Sequence, residues 1–254
     1  MRASLILLLG AFTAAPMALL AAYSFARNWY WPSLLPFSWD LYAWQYVFSE
    51  ESEVLDALSA SFQIAVAVTV IAVAISLPAA RVLAWRRFPG KRQLLFVLLL
   101  PVLSPPLAAT MGLHGMFLRI GLTGTAAGVI LAHLIPAVPY AILMLTGSFT
   151  RLDPDLEAQA RTLGATRWHV MRHVTLPAIA PGVAVAASFA FLISWSQYLT
   201  TLLIGGGETR TLPIILVSFQ SGGDPAIAAA LCLVFLIPAV IAFGSVARFL
   251  DYGT

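Results

Sequence analysis

Few residues of this 254-residue chain could perform acid–base, nucleophilic or metal chemistry. Of its four histidines, only His169 and His173 have a chelating i, i+4 spacing, and no acid or thiol ligand is placed beside them. Neither a GxSxG nor an HExxH motif occurs, and every acid lies in a loop or at the end of an apolar segment. The single cysteine, Cys232, excludes a disulfide framework and a Cys-based metal site. We therefore predict no catalytic residue, no metal site and no cofactor held by this chain.

A dense polar patch interrupts one apolar run near residue 197. Polar side chains within such a run usually face the interior of a helix bundle. At helical spacing, one face would carry Ser194, Gln197, Tyr198 and Thr201. Hydrogen bonding between helices would explain the hydroxyl groups, but Gln197 and Tyr198 are too large to serve only in close packing. We predict that this face lines a translocation pathway.

The longest polar stretch, Thr150–Gly182, lies between two apolar runs and predicts two short helices. Asp153 is a suitable N-cap for the first, and Gly164 ends it as a glycine beyond a helix C-terminus does. Thr166 can cap the second helix, and Pro177 is expected to end it.

The first of these helices has an apolar stripe at i, i+4 and i+7. The stripe consists of Leu156, Ala160 and Leu163. A helix pair lying on anionic lipid is one interpretation. Such basic helices seldom carry three acids in their first turn, whereas this one starts with Asp153, Asp155 and Glu157. We therefore favour a surface that docks onto a partner protein.

This stretch resembles the cytoplasmic coupling loop of permease subunits from bacterial ABC importers. The family pattern is E-A-A-x-x-x-G, then a spacer of nine residues, then I-x-L-P. This chain has the same spacer length between Gly164 and Val174. The residues in register are Gly164, Val174, Leu176 and Pro177, with Val in place of Ile. At the acidic end, Glu157 stands one position early, so that Ala158 occupies the usual Glu position. Farther on, residues 211–230 loosely resemble permeases of the polyamine, thiamine, iron and phosphonate branches.

The resemblance implies a function and a set of partners. It implies one permease domain over residues 1–254, with residues 150–177 as the coupling loop. The implied ATPase-coupling residues are Glu157, Ala160, Leu163, Gly164, Trp168 and Pro177. Two separate ATPase subunits would bind ATP and Mg²⁺, a different second permease would complete the pathway, and an external binding protein would deliver the solute. The expected solute is a polyamine or another small charged compound, and no nucleic acid is expected as a partner.

Composition indicates an integral membrane protein, because 60% of residues are hydrophobic, 10% are charged and the mean hydropathy is +0.89. Six apolar stretches are long enough to cross a bilayer. They are Ala3–Ala26, Ala57–Ala80, Leu94–Phe117, Thr125–Phe149, Ala178–Ile204 and Ala226–Leu250. We predict an all-α fold of about six transmembrane helices, with the coupling loop between the fourth and the fifth. Prolines in the third and fourth stretches suggest kinks or a transport site in about equal measure.

Basic residues predict the orientation. The loops after the second and fourth spans hold nine of the fourteen Lys and Arg residues. These are Arg81, Arg86, Arg87, Lys91, Arg92, Arg151, Arg161, Arg167 and Arg172. We therefore expect a multi-pass protein of the bacterial inner membrane with both termini in the cytoplasm. Two other functions stay open at this point: a membrane-embedded transferase, and an assembly subunit that does not transport.

Overall fold

The computed structural model describes residues 2–29 and 32–251 and is almost entirely helical there. The helices are α1 (Arg2–Ser24), α2 (Tyr42–Val47), α3 (Val54–Trp85), α4 (Lys91–Leu103), α5 (Pro106–Arg119), α6 (Ala126–Arg151), α7 (Asp155–Thr162), α8 (Arg167–Val170), α9 (Leu176–Trp195), α10 (Leu199–Gly205), α11 (Leu212–Gly222) and α12 (Pro225–Asp251). A 3₁₀ turn covers Glu50–Ser52 and a π-helical turn covers Met171–Thr175. Within the described residues, the only sheet is a two-stranded antiparallel ribbon of β1 (Ala26–Arg27) and β2 (Ser38–Trp39). The predicted all-α class is confirmed.

Four helical stretches are each long and apolar enough to cross a membrane. They are Val54–Trp85, Ala126–Arg151, Arg167–Trp195 and Pro225–Gly244. The first predicted span falls on α1, where Ala14–Ser24 is a shorter apolar helix and several other side chains lie outside the described residues. The fold is thus that of a multi-pass helical membrane protein, and the count of six spans stays a prediction.

The third predicted span, Leu94–Phe117, is not one straight helix. Helices α4 and α5 cover it and are bent by 97° with respect to each other. Two consecutive prolines cause the bend, because a residue before proline is forced out of the α region. Ser104 (φ −75°, ψ 142°) and Pro105 (φ −56°, ψ 123°) are accordingly extended, and Pro106 starts the new helix.

The described chain divides into two compact units. The first comprises Met1–Ser61 and Arg210–Ala239, and polar contacts between distant segments hold it together. The Tyr42 hydroxyl donates to Asp224 Oδ1 at 2.7 Å, and the Leu212 N–H donates to Ser61 Oγ at 2.8 Å. An exposed ion pair joins Arg210 to Glu53.

The second unit, Phe62–Thr209 with Val240–Thr254, contains the packed pair α6 and α9. Gly182 of α9 lies directly against Ser148 of α6: a Cβ at Gly182 would stand 1.8 Å from the serine Oγ and 2.5 Å from its Cβ. Small residues let membrane helices approach closely in this way. The apolar core beside the contact includes Leu145, Phe149 and Ile179.

The helix after the loop starts earlier and ends earlier than predicted. Pro177 does not end the second loop helix, because the π-helical turn before it carries the helix on into α9. In that turn the Leu176 N–H bonds to the Met171 carbonyl, and this wider turn gives the proline ring room. The fifth predicted span, Ala178–Ile204, is then interrupted after Trp195. Ser196, whose hydroxyl donates to the Ile193 carbonyl at 3.3 Å, competes there with the backbone hydrogen bonds.

Candidate functional site

The loop between α6 and α9 folds as two short helices, α7 and α8, and the turn between them contains a glycine. The Thr166 side chain accepts a hydrogen bond from the His169 N–H at 3.3 Å, so the predicted cap is confirmed. Gly164 has φ +87°, which side-chain-bearing residues rarely adopt. A Cβ added at Gly164 would meet no atom within 4 Å. Backbone conformation, rather than lack of space, therefore requires glycine at this corner.

Glu157 lies inside the loop rather than on its surface, with only 2% of the residue exposed. Its Oε2 accepts hydrogen bonds from Arg81 and, at 3.0 Å, from Arg161. Its Oε1 accepts one from the Thr175 hydroxyl at 2.7 Å. A buried carboxylate needs such partners, and three different segments supply them. Glu157 therefore ties α7 to the end of α3 and to the π-helical turn.

Arg81 is a member of this cluster that was not predicted as a site residue, and neither were Arg161 and Thr175. Arg81 was counted only as one of the basic residues that predict orientation. Its side chain is 31% exposed, and its guanidinium group lies 5.0 Å from the centre of the Trp85 ring. No local pattern links Arg81 to Glu157, because 76 positions separate them.

Three large apolar side chains of the loop are exposed. We call Leu156, Leu163 and Trp168 the apolar loop patch; their exposed fractions are 44%, 89% and 70%. Ala160 is half-buried and Pro177 is exposed. Large apolar side chains grouped at a surface are typical of a protein interaction site. The structure thus divides the predicted coupling residues into the buried Glu157 and a set that a partner could reach.

A cavity of about 650 Å³ opens at the proline-induced bend. Residues of α4, α5 and α6 line it together with the segment around α10, and these include prolines of both proline-rich stretches. Its polar lining groups are the side chains of Ser104, Thr110, Tyr140, Gln197 and Thr200. The described lining contains neither a carboxylate nor a cationic side chain.

Gln197 is the predicted pathway residue that lines this cavity. Its Oε1 accepts a hydrogen bond from the Thr200 hydroxyl at 3.0 Å. Because the carbonyl end is engaged there, the NH₂ group of the amide is left to donate to another partner. Tyr198 is half-buried and is not among the lining residues.

Ser194 and Thr201, the other two predicted pathway residues, bind His133 of α6. The His133 ring is 1% exposed, with Nδ1 2.9 Å from Ser194 Oγ and Nε2 3.0 Å from Thr201 Oγ1. The Thr201 hydroxyl donates its proton to the Gln197 carbonyl at 2.9 Å, so it must accept from His133 Nε2. This network assigns the proton to Nε2, with Nδ1 accepting from Ser194. His133 thereby joins α6 to both sides of the helix break.

The two loop histidines contact each other. The rings of His169 and His173 stack with their centres 4.1 Å apart. In the part of the chain that the structure describes, no three His, Cys, Asp or Glu residues converge as a metal site.

Comparison with known proteins decides the family. The family model for the binding-protein-dependent transport system inner membrane component matches residues 72–252, more than half of the chain. The chain belongs to this family of permeases. It is a permease subunit of the type I ABC importers and a multi-pass protein of the inner membrane.

Two relatives illustrate the range of solutes in the family. The molybdenum transport system permease protein ModB of Mycobacterium tuberculosis is 35% identical over 200 residues, which cover 73% of this permease and 75% of the relative. The trehalose transport system permease protein SugB of the same species is 34% identical over 169 residues, 66% of this permease and 62% of the relative. These relatives are transport permeases, not enzymes.

Two solved structures share the fold. A bacterial ABC transporter involved in the import of the acidic polysaccharide alginate matches 98% of this permease and 94% of its own chain, with a TM-score of 0.71 and 17% identity. A bacterial alginate ABC transporter in complex with a pentasaccharide-bound periplasmic protein matches with a TM-score of 0.64 and 17% identity.

Proposed function

We propose that this permease forms a solute pathway with a second, different permease subunit and is driven by two ATPase subunits docked on the loop at residues 150–177. ATP and Mg²⁺ would bind to the ATPases, and a binding protein would deliver the solute on the outer side. The exposed apolar loop patch is the observation that carries the docking proposal. The alginate importer in complex with its periplasmic protein supports a binding-protein partner.

The buried Glu157 cluster explains how force on the loop would reach the spans. An ATPase that moved the apolar loop patch would move α7 with it. Since Glu157 bonds to Arg81 and Thr175, the pull would pass to α3 and to the helix that continues into α9. A change of access by rocking of helix bundles needs such rigid connections.

Co-purification tests this assignment. A tagged chain should carry an ATPase subunit and a second permease with it from detergent-solubilised membranes. Purification of the chain alone, with no ATP hydrolysis, would favour a transferase or an assembly role. The orientation is tested separately: cysteines introduced at Arg87 and Arg167 should be labelled only from the cytoplasmic side.

We place the solute among small oxyanions of the molybdate type. The hydroxyl protons of Ser104, Thr110 and Thr200 are already donated within the protein. The Tyr140 hydroxyl and the NH₂ group of Gln197 can donate to an anion, and the described lining holds no carboxylate that would suit a polyamine. ModB also covers more of this chain than SugB does. A sugar is the second candidate, because a volume of about 650 Å³ and neutral polar groups would also accommodate trehalose.

Uptake distinguishes the candidates. Cells with the chain deleted, and the same cells with it restored, would be compared for accumulation of molybdate, trehalose and spermidine. The proposal predicts that only molybdate uptake is lost when the chain is deleted and regained when it is restored. Trehalose uptake that depended on the chain would support a sugar as the solute, and spermidine uptake that depended on it would support a polyamine.

A further inference from the structure

A second, strongly basic pocket lies between the end of α3 and the loop helices. Its volume is about 340 Å³, within the range of small-molecule sites. Four arginines line it: Arg81, Arg86, Arg161 and Arg167. Glu157 is the one acid among its lining residues, so four positive charges against one negative leave a formal charge of +3. We call this site the arginine pocket.

Glu157 cannot neutralise the arginine pocket. Its carboxylate is buried and already shared between Arg81 and Arg161. Arg86 and Arg167 are exposed, and within the described ranges neither has an acidic side chain at ion-pair distance. Two guanidinium groups of the pocket are therefore available to an anion.

The chemistry of the walls narrows the class of anion. The planar guanidinium group matches the oxygens of phosphate and can bind them in bidentate fashion. One of the four is held in place, because Arg81 bonds Glu157 and lies over the Trp85 ring. Val82, Trp85 and Met171 add apolar surface beside the charges. A ligand that combines a phosphate group with an apolar portion fits both kinds of wall.

We propose that the arginine pocket binds a phosphate group, supplied in the membrane by the headgroup of an anionic phospholipid. The choice of source rests on the proposed orientation, which puts the pocket at the cytoplasmic leaflet. Basic pockets at that face of a membrane protein attract anionic headgroups. A bound phosphate would join α3 to the coupling loop and offset the surplus positive charge.

The test compares two double variants of the full-length protein, each purified in detergent with the subunits that accompany it. Arg86→Gln with Arg167→Gln removes the two unpaired charges of the pocket. Arg87→Gln with Arg172→Gln is the matched control, because it removes two arginines from the same segments that do not line the pocket. Native mass spectrometry then measures retention of added phosphatidylglycerol and of zwitterionic phosphatidylcholine, and a parallel titration measures displacement by inorganic phosphate.

Phosphatidylglycerol should be retained by the wild type and by the control. The pocket variant should bind it about 25-fold more weakly, at about fivefold for each arginine near a membrane surface. Phosphatidylcholine should be lost from all three proteins. Arginine-dependent binding of inorganic phosphate without lipid would support the phosphate site and assign it to a soluble ligand.

Equal lipid retention in all three proteins would overturn the proposal, as would an equal loss from the pocket variant and the control. Loss of the ATPase from the pocket variant, without any phosphate or lipid binding to the wild type, would also overturn it in favour of a protein partner. This test measures ligand binding, whereas the uptake experiment measures transport. Failure of the arginine-pocket proposal can therefore be distinguished from failure of the proposed transport function.

Discussion

Replacing Glu157 by alanine should loosen the coupling loop without unfolding the permease. The variant loses three hydrogen bonds that Arg81, Arg161 and Thr175 make to one carboxylate. These bonds join the loop to α3 and to the π-helical turn, whereas the packing of α6 on α9 does not depend on them. The expected effect is therefore local to α7.

The magnitude follows from the burial of the partners. Breaking a fully buried ion pair costs about 3–5 kcal/mol, because a charge is left without a partner. The side chains of Arg81 and Arg161 are 31% and 48% exposed, so water can solvate them once Glu157 is gone. We expect a reduced cost of about 2–3 kcal/mol, which corresponds to about 30- to 160-fold more frequent opening of α7.

Hydrogen–deuterium exchange of the Asp155–Thr162 amides measures that opening. Asp155→Asn is the control, since it removes an exposed acid from the same helix and should cost less than about 1 kcal/mol. Exchange should accelerate in α7 and remain at the wild-type rate in α6. Unchanged α7 exchange in Glu157→Ala, or acceleration equal to that of the control, would refute the anchoring role of this carboxylate.

Three further predictions concern the spans. Gly182→Ala should destabilise the protein by about 1–3 kcal/mol and lower its melting temperature in detergent, because the added Cβ would stand 2.5 Å from a serine Cβ of α6. Gly147→Ala is the control: its added Cβ meets nothing within 4 Å, so the melting temperature should be nearly unchanged. Gln197→Leu should reduce solute uptake more than Tyr198→Leu while basal ATP hydrolysis persists, since only the former lines the cavity; equal reductions would instead favour the helical face predicted from spacing. His133→Leu should cost about 2–4 kcal/mol, because two buried hydroxyl groups lose their partner; a melting temperature equal to that of the wild type would contradict the network.

Local rules predicted what depends on local chemistry. Helix capping by Thr166 and the turn at Gly164 follow from the preferences of residues at helix ends, and both are present. The prolines near residue 105 indicated a disturbance, since residues before proline leave the α region. The 97° angle was not predictable, because it depends on what the two helices pack against.

Long-range partners could not be read from the chain. The spacing of Ser194 and Thr201 predicted a polar face, but His133 lies 61 and 68 positions from them. The same spacing grouped Gln197 with Tyr198, whereas the interruption after Trp195 invalidates the assumption of one continuous helix. Pro177 was expected to end a helix, and a wider turn that no propensity rule specifies accommodates it instead.

Binding of an ATPase to the apolar loop patch is the central claim, and one pair of variants tests it directly. Leu163→Asp puts a charge at the most exposed residue of the apolar loop patch. The exposed fraction of Leu163 is 89%. Ala158→Glu adds the same charge to an exposed position of α7, which ends one residue before Leu163, and the family pattern carries Glu at this position. Two quantities would be measured for each variant. One is the amount of ATPase that co-purifies with the permease, and the other is the ATP hydrolysis that solute-loaded binding protein stimulates. The account predicts loss of both quantities for Leu163→Asp and wild-type values for Ala158→Glu; full ATPase binding and stimulation in Leu163→Asp would contradict it.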